Sequence, residues 1–421
     1  MKNSSTLRTV DFDPFAFTFI LKGFERRHTS ALLWFPVTMA IAIIAATVID
    51  GTFGSISDVR PVQDAARVLG LEVEDASPPS FPLLRDTYSW FQAATIAAGL
   101  LLLHHQWAMM SRCLSSLADN GAIVAPQTIK SSPLSRALRI DRLAGDDPEL
   151  AFSTFMTRLM EKLSAIAPWL SAAKLLLAVV LSRLLMLGQE QGLFQSLAPS
   201  DLSDAARQAW LEEAYRSWWA GTDHVAGHVV YSVLAVIAIF IILSFQVVGF
   251  LAVYVIVALH HLTSPGADWT NRDGRYGWSP LGATFRTVIW ANALLAATLI
   301  NVVVYLGAHN YKWILGLVVL YAIAMPLFVF VPWLVFRRVQ DTVRRRRASR
   351  IADVIQAQGL DVNHHIAETA TLLAEIERCH NVRIKPLSLR PVSWSTLTLF
   401  GALPIVLAAA QIFFNLRLGA Q

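Results

Sequence analysis

Residues 229–259 read VVYSVLAVIAIFIILSFQVVGFLAVYVIVAL, 31 positions without an Asp, Glu, Lys or Arg. A helix of about 20 apolar residues crosses a bilayer, and strands rarely exceed about ten residues. This stretch predicts an all-α integral membrane protein. As one helix it would extend about 46 Å, against a hydrocarbon core of about 30 Å. The segment therefore has to tilt, kink or project into the cytoplasm, and projection of a tilted helix is the simplest solution. Gly249, with Gln246 and Ser244 nearby, marks the place for a break.

Working outward, six further apolar segments qualify as spans: 32–49, 90–110, 165–187, 288–306, 313–336 and 394–414. The chain is thus expected to be a polytopic helical bundle of seven transmembrane helices. Gly401 and Pro404 interrupt the last segment. It gives six spans if it re-enters, but its 21 residues favour crossing. Trp90, Trp107, Trp169, Trp290, Trp313, Trp333 and Trp394 sit near segment ends or within them, where an indole prefers the headgroup boundary. They read as anchors and not as a binding cage.

Lys and Arg alternate from loop to loop. With the N-terminus inside, inner segments carry 26, outer segments 7 and the third span 2 of the 35. That division is the positive-inside pattern. It predicts a multi-pass plasma (inner) membrane protein with a cytoplasmic N-terminus. The expected organisation is a cytoplasmic segment at 1–31, a six-helix bundle with short soluble loops at 32–336, a basic cytoplasmic hairpin at 337–393, and a transmembrane or re-entrant segment at 394–421.

Composition agrees: 55% hydrophobic and 15% charged residues, against about 25% charged in soluble domains. The net charge of +5 comes from inner loops and points to anionic headgroups, not to nucleic acid. Cys113 and Cys379 fall on the reducing side, so no disulfide is expected. The polar first 30 residues lack the apolar core of a cleaved signal peptide.

The soluble parts are expected to be small and helical. The outer loop 51–89 is acidic and rich in proline near Pro78, Pro79 and Pro82, and the outer loop 188–228 carries an amphipathic helix. Ser203 is its N-cap, with Ala206, Trp210, Ala214 and Trp218 on one face. Inside, 148–164 reads as a separate helix, lying on the membrane or packing under the bundle. Beyond the sixth span, Arg337, Arg338 and the run Arg344, Arg345, Arg346 and Arg347 continue the helix to about Gln358, with Gly359 as its C-cap residue. A second helix from about Asn363 to His380 completes the hairpin. No repeat of fixed period and no inverted symmetry is visible.

Ionisable residues inside a bilayer are costly and point to function. No Asp or Glu lies in any of the seven segments, and Asp50 falls just past the first. That weighs against a proton- or sodium-coupled transporter. Lys174 lies near the middle of the third segment and needs acceptors, for which Gln246, Asn292 and Asn301 are candidates. Arg183, a turn from the outer end, reads as snorkelling. The pairs His104-His105 and His260-His261 come from spans of the same direction, but adjacent helical histidines diverge by about 100°. They read as interfacial hydrogen-bonding groups. His224 and His228 share a helix face without a visible third ligand, so no metal site is assigned.

The loop 264–280, SPGADWTNRDGRYGWSP, gathers Asp268, Arg272, Asp273 and Arg275 around an Asp-Gly turn. An EF-hand register fails, because Trp269 and Pro280 would fall on its first and last ligand positions. The loop reads as an ordered turn held by Asp–Arg pairs, or as a ligand or partner loop. Nucleotide, hydrolase and redox motifs are missing, so an enzyme has nothing to rest on, and no cofactor is expected. Two functional expectations remain. One is a sensing, signalling or scaffold module acting through the basic cytoplasmic segment, with anionic lipid, a second copy or a membrane partner on it. The other is a channel or facilitator for an anion or small solute, with Lys174, Gln246 and Asn301 in its pathway.

Overall fold

The computed structural model describes residues 29–55, 81–126, 128–129, 131–194, 198, 202–266, 276–306 and 312–357, with single positions between 370 and 410. Helix dominates these residues. The membrane class follows from α6 (Ala151–Gly192), α8 (Val225–Leu262) and α9 (Ser279–Leu306). Each is long and apolar enough to cross a bilayer. They are joined by α1 (Thr29–Ile49), α2 (Thr87–Ser111) and α10 (Lys312–Ala357). Short elements fill the connections: α3 (Cys113–Asp119), α4 (Pro133–Ala137), α5 (Ile140–Leu143) and α7 (Asp204–Arg216).

Helix α8 is the hub and packs on α1, α2, α6, α9 and α10. Its 38 residues run unbroken through Gly249, so no break occurs there. Gly249 is buried, and its missing side chain leaves part of a small void.

Helix α6 departs from the expected division. The segments read as 148–164 and 165–187 are one helix of 42 residues, about 63 Å long. Pro168 lies inside it without ending it. Its first turns bury Phe152, Phe155, Met156 and Leu159, so that stretch packs under the bundle. Farther along, Trp169, Leu176, Val179 and Val180 are exposed while Ser171, Lys174, Ala178 and Ser182 are buried. An outward apolar face with an inward polar stripe is the inverse of a soluble helix and suits lipid.

Two ends of the bundle differ in construction. At one end, β1 (Ile123–Val124) pairs antiparallel with β2 (Ser264–Pro265), and α10 passes beside β2. At the other, residues 51–55, 81–86 and 214–228 fold into a cap over the helix ends. Trp107 is fully buried against the interior, because Leu103, Trp107 and Met110 form the inward face of α2. Trp169 and Trp290 are exposed.

Candidate functional site

The cap is built around Asp86. It N-caps α2, Oδ1 accepting from the Ser89 backbone N–H at 3.0 Å. Its Oδ2 accepts the indole N–H of Trp218 at 2.6 Å and of Trp219 at 2.7 Å. A buried carboxylate is thereby met by three donors. The tryptophans are placed by backbone: Trp219 N–H donates to the Phe81 carbonyl at 3.0 Å, just beyond the C-terminus of α7. Below them, Gln189 donates to the Tyr88 hydroxyl at 3.0 Å and to the Tyr231 hydroxyl. Burial, with the Glu190 carboxylate beside it and only partly offset by Arg183, pushes the neighbouring Tyr215 phenol up to about 12. Tyr215 is thus a neutral hydroxyl at any physiological pH.

Asp50 ties α1 to this cap. Its Oδ2 accepts the Gly227 N–H at 2.7 Å, in the first turn of α8 where an anion is favoured. Gly227 is required there, since a Cβ would stand 1.9 Å from the Trp219 carbonyl oxygen. His228 is engaged through Nδ1 with the Ala220 carbonyl at 3.1 Å. Among the described residues no group of three metal-ligating side chains exists.

Lys174 finds a partner that sequence reading overlooked. Its ammonium donates to Ser244 Oγ at 3.2 Å and stands 4.9 Å from the centre of the Phe240 ring. Ser244 in turn donates to the Phe240 carbonyl at 2.8 Å, which leaves its lone pairs for the lysine. An aromatic four residues before a serine on the facing helix is the signal that would have found this seat. Ser244 and Gln246 lie about 200° apart on α8. Lys174 and Gln246 are therefore on opposite faces of that helix. Asn301 is buried on α9, and its side-chain N–H groups have no partner among the described residues. Asn292 donates to the Val288 carbonyl at 2.9 Å within its own helix. Arg183 is exposed.

Gln246 faces a cavity of about 190 Å³ that sequence reading did not foresee. Helices α1, α2, α6, α8, α9 and α10 all contribute to its wall, with Ile43, Ile96, Leu185, Ala238 and Leu299 among the apolar residues. Tyr231 and Trp219 close it on the cap side. Its other polar wall groups are Ser89, Gln92, Gln246, Thr298 and Tyr321. Ser89 Oγ and the Tyr321 hydroxyl are buried without a partner among the described residues. A small void beyond Gln246 is lined by Gln106 and Asn292. Neither cavity is lined by Lys174 or Asn301.

The ends of the 264–280 loop are pinned. Trp278 is buried and donates through its indole N–H to the Gly266 carbonyl at 3.1 Å. Gly277, at φ +89°, comes within reach of the Asn120 side chain. Asp268, Arg272, Asp273 and Arg275 lie outside the described residues, as does most of the second arm of the 337–393 segment. Helix α10 passes from Leu317 and Tyr321 at the cavity to the basic run, where Arg344 is half-buried and Arg345 exposed. Arg346 and Arg347 belong to the same helix. Compared with family models, curated proteins and solved structures, the chain matches none.

Proposed function

We propose that this protein is a membrane-embedded sensing module whose bundle cavity is coupled to a basic cytoplasmic segment by α10. The single observation behind the reading is continuity. One helix of 46 residues carries both the cavity wall at Leu317, Leu320 and Tyr321 and the arginines from Arg337 onward. Tilt or rotation of a continuous helix at one end is felt at the other, so occupancy of the cavity has a mechanical route to the basic run. The topology that goes with it has seven spans, a cytoplasmic N-terminus and an inner-face 337–393 hairpin that meets anionic headgroups, a second copy or a membrane partner. The division of Lys and Arg supports that orientation.

The facilitator reading needs Lys174 and Gln246 around one path, and their opposite placement on α8 supports it less well. Two measurements on the full chain in liposomes separate the readings. Release of small anionic and neutral solutes reports conduction. Hydrogen exchange over 337–357, compared between the wild type and Tyr321→Ala, reports coupling. Altered exchange without solute release is expected. Release that Lys174→Met abolishes, with exchange unchanged, would replace sensing by facilitated passage.

A further inference from the structure

We infer that the cavity is a binding site for a neutral medium-chain amphiphile, an alcohol or carbonyl compound with a single short alkyl tail. The inference rests on the sensing reading only in taking this molecule as the signal. Three features of the wall point to the ligand class.

The first is size. A cavity of about 150 Å³ holds benzene, whereas drug-sized pockets begin near about 300 Å³. At about 190 Å³ this one suits a molecule of roughly eight heavy atoms, and not a two-chain lipid.

The second is charge. Among the described residues, no Asp, Glu, Lys, Arg or His lines the wall. The nearest carboxylate, Asp86, has its oxygens taken by two indoles and a backbone N–H. Lys174 is turned to the opposite face of α8 and seated on Ser244. A charged headgroup would leave water and find no counter-ion, at a cost no apolar tail contact offsets.

The third is the unpaired hydroxyls. Ser89 is 6% and Tyr321 5% exposed, both line the cavity, and neither hydroxyl has a partner among the described residues. Buried polar groups in proteins are nearly always hydrogen-bonded, so these two hydroxyls are open to a partner that enters the cavity. A hydroxyl or carbonyl oxygen supplies it. Gln92, one turn beyond Ser89 on α2, adds a third polar group on the same wall. Ile96, Ala238, Leu243 and Leu295 then receive the tail.

The test is photo-crosslinking on the full chain in nanodiscs. The probe is a six-carbon alcohol with a diazirine in its chain, and the control is the carboxylic acid with the same chain and diazirine. Adducts are expected within 89–96, 235–246 and 295–302, at least tenfold more with the alcohol than with the acid. Ala238→Trp should abolish them by filling the cavity. Because that variant adds bulk inside the bundle, Ser89→Ala and Tyr321→Phe serve beside it, each removing only one hydroxyl. Each should weaken alcohol capture about fivefold, the worth of one ordinary hydrogen bond. Equal labelling by alcohol and acid would overturn the proposal. So would adducts confined to the lipid-facing residues Leu176, Leu177 and Val180, or capture indifferent to loss of both hydroxyls. Cavity adducts without any change in exchange over 337–357 would keep the site and remove the sensing role.

Discussion

Asp86 and Lys174 are both buried ionisable residues, and the chain treats them differently. Three N–H donors converge on the Asp86 carboxylate, so its acceptor oxygens are used structurally. Asp86→Asn keeps the volume but points an amide N–H₂ at groups that also donate. Loss of about 2–3 kcal/mol of stability is expected, read as an earlier midpoint of unfolding in mixed detergent. An unchanged midpoint would mean that the indoles find other acceptors. Lys174 has, among the described residues, a hydroxyl and a ring face for partners. Lys174→Met keeps the apolar stem and removes the need to bury an ammonium, so stability should hold or rise. A large loss would show that the Ser244 contact carries more than its desolvation costs. The sequence flagged Lys174 because a lone cation stands out in an apolar run. It did not flag Asp86, which sits in an acidic, proline-containing loop like any solvated carboxylate. Its partners Trp218 and Trp219 are more than 130 residues away, a separation that local pattern does not reveal.

At the scale of elements, apolar runs located the long helices but not their ends. Helix α6 continues through the boundary at residue 165 because that stretch has no glycine and Pro168 removes only one backbone donor. A change from amphipathic to uniformly apolar character looked like a junction, yet it marks only a change of surroundings along one helix. Helix α10 was read correctly as continuing past Phe336, since Arg and Gln are good helix formers. Its basic run begins about 12 Å beyond that residue. Within roughly a Debye length of headgroups each arginine contributes about 1 kcal/mol of attraction to anionic lipid. Replacing Arg344, Arg345, Arg346 and Arg347 by glutamine should therefore weaken binding of a 337–393 peptide to anionic vesicles, more at low salt than at high. Equal binding of both peptides would leave the run with a topological role alone.

The whole molecule was legible as a membrane protein, because an uncharged 31-residue stretch admits no other home. The central cavity was not legible, since a void is made by residues from six helices that share no spacing in sequence. Orientation is open to a direct test. With Cys113 and Cys379 replaced by serine, Ser55→Cys should react with a membrane-impermeant maleimide in intact cells. Reaction only after permeabilisation would reverse the assigned sides. The Asp50–Gly227 contact bears on how the protein is made. The two residues are 177 positions apart. At about 5–20 residues per second, α1 leaves the ribosome roughly 9–35 s before the turn of α8 that Asp50 caps. During that interval the Asp50 carboxylate lacks the Gly227 N–H, and α1 has α2 but not α8 to pack on. Half of the packing of α1 thus waits on a segment made much later, and pausing translation before residue 225 should leave α1 more open to proteolysis than it is in the complete chain.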